Sequence, residues 1–373
     1  MTSRSTADQF VVKVHSRCNL ACDHCYIYES PDRGWTRRPH AMPEDVMAAL
    51  VERLAEHALR HRLPVTTVVL HGGEPLLAGV RRLDRLAGGL RAAFARLPGE
   101  LRLVIQTNGL LLDEAFLEMF RAHGVVVGVS LDGDRDAHDR HRRFRNGDGS
   151  HAHVMRTLEL LRSPRYRHLY GGLLCTVDLA NPPVPTYEAL LDHEPRQIDF
   201  LLPHGTWGRP PPGLPSDGAP YAAWLIEVFD RWYGAPRRET GVRLLDAVVD
   251  RCLGGSGESE MFGVGADRVV VVETDGAIED HDAMKAAYAG AASTGRDVMR
   301  HGFDEPFAAR PAPALCDRCT ACPVVAVCGG GLPAHRHHPA TGFTNPSVYC
   351  RDLRTLIEHV HRRVRADLDG MRR

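Results

Sequence analysis

Apolar positions along the chain follow two periods. Runs rich in β-branched and apolar residues recur at FVVKVH (10–15), TTVVLHGGEP (66–75, running into a glycine turn), LRLVIQTNG (101–109, ending in a polar turn), VVVGVSLDG (125–133), LYGGLLCTVDL (169–179) and QIDFLLPH (197–204). Each has the length and composition of a strand. Between them lie segments with apolar residues at helical spacing. MPEDVMAALVERLAEHALR (42–60) opens with acids in its first turn, 79–96 follows, and DEAFLEMFRAHG (113–124) closes on Gly124 as a C-terminal cap. Residues 151–162 are helical in pattern, and a short helix is expected between 179 and 197. Strands alternating with amphipathic helices predict an α/β fold with a parallel sheet. The polar stretches HGGEP, QTNG and SLDG follow strands, at the carboxyl ends where such folds bind ligands.

After residue 204 the pattern changes. WGRPPPGLPSDGAP (207–220) predicts an extended loop, YAAWLIEVFDRWY (221–233) a helix, and DRVVVVETDGAIED (267–280) a β-hairpin turning at Asp275–Gly276. The end of the chain, DLRTLIEHVHRRVRADL, predicts a helix whose apolar stripe packs on the barrel body or meets a partner. The expected division is a first domain over 1–235 and a second over 236–373.

Composition narrows the classes. A chain that is 43% hydrophobic and 25% charged, with formal net charge −1, gives no electrostatic case for nucleic acid or a membrane surface as partner. No apolar run reaches the length of a membrane span, and MTSRSTADQ lacks the apolar core of a signal peptide. A cytoplasmic, reducing setting is the expectation. There, ten cysteines in clusters indicate metal or redox chemistry rather than disulfides.

Cys18, Cys22 and Cys25 form C-x3-C-x2-C just after the first strand. Structural zinc takes four ligands, whereas three thiolates suit a cubane iron–sulfur cluster with one iron left open. A second group is Cys316, Cys319, Cys322 and Cys328, followed by Cys350. Cys175 and Cys252 stand alone and are expected to be buried as small hydrophobes.

C-x3-C-x2-C after the first strand, Gly72-Gly73-Glu74-Pro75 after the second and SLDG after the fourth resemble the radical S-adenosylmethionine (SAM) enzymes. The resemblance implies a partial (β/α)6 barrel over the first ~230 residues. It also implies a [4Fe–4S] cluster on Cys18, Cys22 and Cys25, with SAM on the open iron. It places Gly72 and Gly73 beside SAM, Glu74 near its amino group and His24 against the adenine. It further places Ser130 and Asp132 near the ribose, Gln106 and Asn108 in the site and Arg142, within HDRHR (138–142), on the SAM carboxylate. HDRHR by itself reads equally as a solvated surface run.

Cys319-x2-Cys322-x5-Cys328 with Cys350 resembles half of the SPASM domain, a small iron–sulfur module. This implies one auxiliary [4Fe–4S] cluster on those four thiols, with Cys316 as a replacement ligand or a spare. The other auxiliary cluster of that module lacks most of its ligands here and is expected to be absent. Four thiolates satisfy a structural zinc site as well.

HGTW (204–207), VETDGAIEDHDAMK (272–285), CGGGLPAHR (328–336) and NPSVYCRDL (345–353) resemble the FxsB-type cyclophane-forming maturases. That resemblance implies a ribosomally made precursor peptide as substrate and an electron donor such as ferredoxin or flavodoxin. A deoxyadenosyl radical would remove a β-hydrogen, and the resulting carbon radical would add to a nearby aromatic ring. A base would then take the ring proton. Glu273, Asp275, Asp280 and Asp282 are candidates, each reading alternatively as a solvated turn acid, and Lys285 either contacts peptide or faces solvent. His335, His337 and His338 read as loop residues. With 17 residues before Cys18, no leader-recognition domain is expected there. The alternatives are another radical SAM peptide modification (epimerisation, ether or thioether formation, β-hydroxylation), Ser/Cys oxidation of the sulfatase-maturase type, or a metal-bearing scaffold without activity.

Overall fold

The β-branched runs form the strands their pattern predicts. In a computed structural model, which describes residues 6–257, 259–263, 269–305 and 313–371, β1 (Gln9–His15), β2 (Val65–Gly72), β3 (Glu100–Thr107) and β4 (Val125–Ser130) pair in parallel in that order. β2 shows strict alternation, burying Thr66, Val68 and Leu70. Helices α1 (Glu44–His61), α2 (Val80–Phe94) and α3 (Glu114–His123) connect these strands. α1 buries Val46, Met47, Leu50, Leu54, His57 and Ala58, one stripe at helical spacing. In α3 the Asp113 carboxylate accepts from the Phe116 N–H at 3.0 Å, and Gly124, at φ 61°, ends the helix as its sequence predicts. Next come α4 (Arg135–His141), α5 (His151–Arg162), β5 (Tyr170–Thr176), α6 (Pro183–Leu191), β6 (Gln197–Leu201), α7 (Pro220–Tyr233), β7 (Gly241–Val242) and α8 (Arg243–Cys252). The chain closes with β8 (Val269–Val272), β9 (Ala277–Glu279), β10 (Ser293–Asp297) and a long terminal helix, α9 (Cys350–Met371).

The described residues form two compact units. One takes those of 1–131, 138–172 and 267–311, the other those of 132–137, 173–266 and 312–373. The units therefore do not part at residue 235. The hairpin that the sequence assigns to a C-terminal domain belongs to the first unit: β8 lies parallel to β1, with Gln9 opposite Val269 and Val12 opposite Val272. Its first two residues, 267 and 268, lie outside the described residues. β9 pairs antiparallel with β8, and β10 antiparallel with β9. Val270, Val271 and Val272 are all buried, as expected for a strand covered on both faces. The sequence shows the hairpin but not its neighbour, because that pairing joins residues some 260 positions apart.

In the second unit, the part of β5 from Leu173 pairs in parallel with β6, and β6 with β7. α9 buries Leu353, Leu356, Ile357, Val360 and Val364 and packs on α7 and α8. The Asp352 carboxylate accepts from the Tyr221 and Ala222 N–H groups at 2.8 and 3.0 Å. It thereby satisfies donors that the first turn of α7 leaves unpaired. Cys175 is buried on β5 as expected, whereas Cys252 is only half-buried. Among the described residues, no helix is long and apolar enough to cross a membrane.

Asp352→Ala should therefore destabilise the protein by about 1–2 kcal/mol, by removing a cap on a buried helix start. Denaturant unfolding of the variant beside wild type measures this, and an unchanged midpoint would show that water replaces the carboxylate without loss.

Candidate functional site

The cysteine loop leaves β1 at His15 and turns tightly. The Cys25 N–H donates to the Cys22 carbonyl at 3.3 Å, and the Glu29 N–H to the Cys25 carbonyl at 2.8 Å. Cys18, Cys22 and Cys25 form no disulfide and are of intermediate exposure. The end of β2 presses against this loop. The Gly73 N–H donates to the His15 carbonyl at 2.9 Å, and the Glu74 N–H to the Arg17 carbonyl at 3.0 Å. A Cβ on Gly72, at φ 152°, would overlap the His15 carbonyl, and one on Gly73 would overlap the Tyr28 hydroxyl and the Arg17 carbonyl. The paired glycines are thus required by close backbone approach.

Glu74 is buried and ties three strand ends together. Its carboxylate accepts from the Leu76 N–H at 2.9 Å, the Thr107 hydroxyl at 2.7 Å and the Asn108 N–H at 2.8 Å. Burial pushes its carboxyl up to about 7 against the pull of these donors. The Asn108 side-chain amide donates to Asn19 Oδ1 at 2.8 Å and lies 3.7 Å from Cys18 Sγ. A link therefore runs from β2 through the end of β3 to the first cysteine. Gln106 Nε2 donates to Ser130 Oγ at 3.1 Å, joining the ends of β3 and β4. Within the second unit, Asp132 Oδ1 accepts from the Thr176 N–H at 2.9 Å.

HDRHR is not a solvated run. His138 is 1% exposed and Arg142 9%. The Arg142 N–H donates to the His138 carbonyl at 2.9 Å, the Ser150 hydroxyl donates to the Arg142 carbonyl at 2.7 Å, and His138 Nε2 lies 2.9 Å from that hydroxyl. The Arg142 charge acts on the Cys25 thiol. His24 sits 5.3 Å, ring to ring, from His141.

The donor set fits an iron–sulfur cluster. Burial first, then the nearby charges of Glu74, Cys22 and Cys25, push the Cys18 thiol up to about 12. Burial likewise raises Cys25, against the pull of the Tyr28 and Ile27 N–H groups, Arg142 and Lys13. Thiols such as Cys18 and Cys25, which resist ionisation as bare groups, are stabilised as thiolates by a bound metal centre. Cys18, Cys22 and Cys25 would hold it.

Of the four candidate acids near the hairpin, Glu273 and Asp282 are not solvated turn acids. Asp275 is exposed, accepts from the Ala277 N–H at 3.1 Å and so shapes the β8–β9 turn. Asp280, which accepts from the His281 N–H at 2.8 Å, is partly exposed. Glu273 and Asp282 are buried, and so is Lys285, which does not face solvent. Lys285 pairs with Glu273, with Glu279 at 3.0 Å and with Asp282 at 3.2 Å. Lys13, on β1, pairs with Asp282 from the other side. It also lies 3.1 Å from His71 Nδ1 on β2, and burial with the Lys13 charge holds that imidazole down at about 3, so it stays neutral. Arg38 reaches Glu273 at 3.0 Å and also meets Glu279. Burial alone would raise the Asp282 carboxyl, but Lys13 and Lys285 together hold it well below the usual carboxylate range. Tyr26, next to Cys25, has its hydroxyl 3.5 Å from Asp282. The cysteine loop and this charged group are thus one side chain apart. Lys13 escaped the sequence reading because a lone lysine within a strand gives no local signal.

In the second unit, Cys319, Cys322, Cys328 and Cys350 line one cavity of about 520 Å³, rimmed by Arg318, Arg351 and Arg354. Burial, a hydrogen bond to Cys316 and the charges of Cys316, Cys350 and Cys328 push Cys319 up to about 12. Cys328 rises to about 11, first by burial and then through Cys350 and Cys322. Cys316 sits against Cys319. His335 is fully buried, 3.1 Å from His204 Nδ1 and edge-on to Tyr349, so it is core rather than loop.

This arrangement defines a class. Residues 12–174 match the radical SAM superfamily. The fold is the radical SAM α/β fold, whose cofactors are a [4Fe–4S] cluster and SAM. Over 360 residues the chain is 22% identical to a cysteine-type anaerobic sulfatase-maturating enzyme of Clostridium novyi, covering 92% of each. It is 30% identical over 216 residues to an uncharacterized protein of Synechocystis sp., covering 54% of this chain and only 49% of that protein. Among solved structures, native anSMEcpe with bound AdoMet and Cp18Cys peptide superimposes with a TM-score of 0.81 at 21% identity, over 97% of this chain and 99% of that one. Streptococcus suis SuiB bound to its precursor peptide SuiA gives 0.63 at 12% identity, over 93% and 76%. The chain is thus similar to radical SAM enzymes over residues 12–174, to sulfatase-maturating enzymes in sequence and to SuiB in fold.

Anaerobically reconstituted protein should hold about eight iron per chain, falling to about four in the Cys18/Cys22/Cys25→Ala variant. Iron and acid-labile sulfide analysis tests both cysteine groups at once. Zinc in place of iron in the variant would overturn the auxiliary-cluster assignment.

Proposed function

We propose that this chain is a maturase of a ribosomally made peptide, joining the β-carbon of one residue to the aromatic ring of a near neighbour. The observation that carries the reading is Asp282. It is a buried carboxylate kept ionised by Lys13 and Lys285 and set one side chain from the cysteine loop. Closing the carbon–carbon bond removes two hydrogens from the peptide. SAM, with the cluster that Cys18, Cys22 and Cys25 would hold, would supply the radical chemistry that removes one of them from the β-carbon as an atom. The other leaves the ring as a proton, together with one electron. After that electron is lost the ring is a cation and a strong acid, so a carboxylate of depressed pKa is a sufficient base. Asp282 takes the proton, and Lys13 and Lys285 hold its orientation. Cys319, Cys322, Cys328 and Cys350 would hold the auxiliary [4Fe–4S] cluster that accepts the electron, within a rim of arginines that favours the reduced state.

A second reading is oxidation of a peptide Ser or Cys to an aldehyde. Similarity to a sulfatase-maturating enzyme over nearly the whole chain favours it. Both readings need a base and an electron acceptor, and the products separate them.

The test uses a synthetic peptide ending in a Phe-x-Ser-x-x core, SAM and a reduced flavodoxin. Crosslinking predicts loss of two hydrogens, loss of one ring deuterium from ring-deuterated Phe, and no reaction with hydrazine. A hydrazone would establish aldehyde formation instead. Asp282→Asn should keep SAM cleavage and iron content while product formation falls about 10²-fold or more. Equal loss of SAM cleavage would move Asp282 out of the base role.

A further inference from the structure

The C-terminal end of α1 carries two histidines one helical turn apart, His57 and His61, and residues at that spacing share one face. Asp304, in the stretch after β10, meets both. Its Oδ1 lies 2.7 Å from His61 Nε2 and 3.3 Å from His57 Nδ1. One ligand atom from each of the three residues falls within 4.8 Å of the others. The other carboxylate oxygen, Oδ2, is held at 2.9 Å by Arg60 Nη1, which fixes the carboxylate so that Oδ1 faces the imidazoles.

The buried member of this group is oriented but incompletely satisfied. His57 is 5% exposed, and its Nε2 lies 2.9 Å from the Ala7 carbonyl, an acceptor only. Nε2 therefore carries the proton, and in the neutral ring Nδ1 presents a lone pair. That atom is buried and has no hydrogen-bond partner. It lies 3.3 Å from the Asp304 carboxylate oxygen that His61 Nε2 approaches at 2.7 Å, so a buried imidazole lone pair and a carboxylate oxygen stand close together. A cation resolves this arrangement. Backbone carbonyls that fix the tautomer of a histidine are the usual outer support of metal-binding imidazoles. Bonds of 2.0–2.1 Å to a tetrahedral ion set its ligands about 3.3–3.4 Å apart, which is the His57–Asp304 separation. The His61–Asp304 contact would open by about 0.6 Å on that geometry.

We propose that His57, His61 and Asp304 form a binding site for a divalent ion of the zinc class, with water in the fourth position. Two imidazoles and one carboxylate favour zinc over magnesium or calcium. The side chains of His61 and Asp304 are 28% and 37% exposed, which gives the ion a path in from solvent. The ion clips the end of α1 to the stretch after β10, within the first unit. It is separate from both cysteine groups and independent of the peptide chemistry.

Cobalt distinguishes this site from the thiolates. Reconstituted holoprotein titrated anaerobically with Co²⁺ should take up one equivalent with visible d–d bands and no sulfur-to-cobalt charge transfer, displaced by Zn²⁺. His61→Gln and Asp304→Asn, both partly exposed, should keep the iron content and circular dichroism of wild type while weakening that equivalent about tenfold or more. The proposal is overturned if no such equivalent binds. It is also overturned if the spectrum shows sulfur charge transfer, or if both variants bind as wild type does. In those cases the three residues are a charge clamp.

Discussion

The candidate site depends on one buried carboxylate. Glu74 gathers the Leu76 and Asn108 N–H groups and the Thr107 hydroxyl, while its own N–H donates to the carbonyl of Arg17, one residue before the first cysteine. β1, β2 and β3 end side by side, and the turns after β2 and β3 leave backbone donors that continue no ladder. An acceptor with two oxygens satisfies several of them at once and fixes the strand ends relative to one another. Asn108, held at its backbone by Glu74, can then place its amide on Asn19 beside Cys18. The position of the cysteine loop is set by hydrogen bonds that begin on a different strand. The two glycines before Glu74 are the steric condition for this, since side chains there would hold the loop away.

A second constraint is electrostatic. Lys13, Lys285 and Arg38 are interleaved with Glu273, Glu279 and Asp282 in a region with little access to water. Burying any one of these charges alone would cost several kcal/mol. Together they are mutually compensated, and the group is stable only as a whole. It is assembled from β1, from the loop before α1 and from the hairpin that docks on β1. The same pairing that extends the sheet brings Asp282 to the cysteine loop. Fold and candidate chemistry share this junction, which gives selection for specificity a reason to keep a charged core where an apolar one would be simpler.

Much of the first unit was legible in the sequence. The parallel strands, the helices between them and the Gly124 cap follow from local periodicity and cap chemistry. The cysteine spacing and the Gly72-Gly73-Glu74 turn marked the site. The hairpin was legible as a hairpin, but not as a neighbour of β1. β10 was not legible at all, because Ser293–Asp297 is polar and lacks the alternating apolar positions of a strand. Reading Glu273, Asp282 and Lys285 as solvent-facing failed for a related reason. Charged residues near a turn look exposed until the elements that cover and pair with them are known.

The sequence by itself determined the local elements, the α/β class and which thiols stand close enough along the chain to share a metal centre. Those features depend on residues within a turn or two of one another, where propensity and periodicity act directly. Only the tertiary structure decided what joins residues far apart. It set Lys13 against Asp282, Asp304 against His57 and His61, and Asp352 on the start of α7. Burial and long-range pairing fix those contacts, and neither is encoded in any short stretch of the chain.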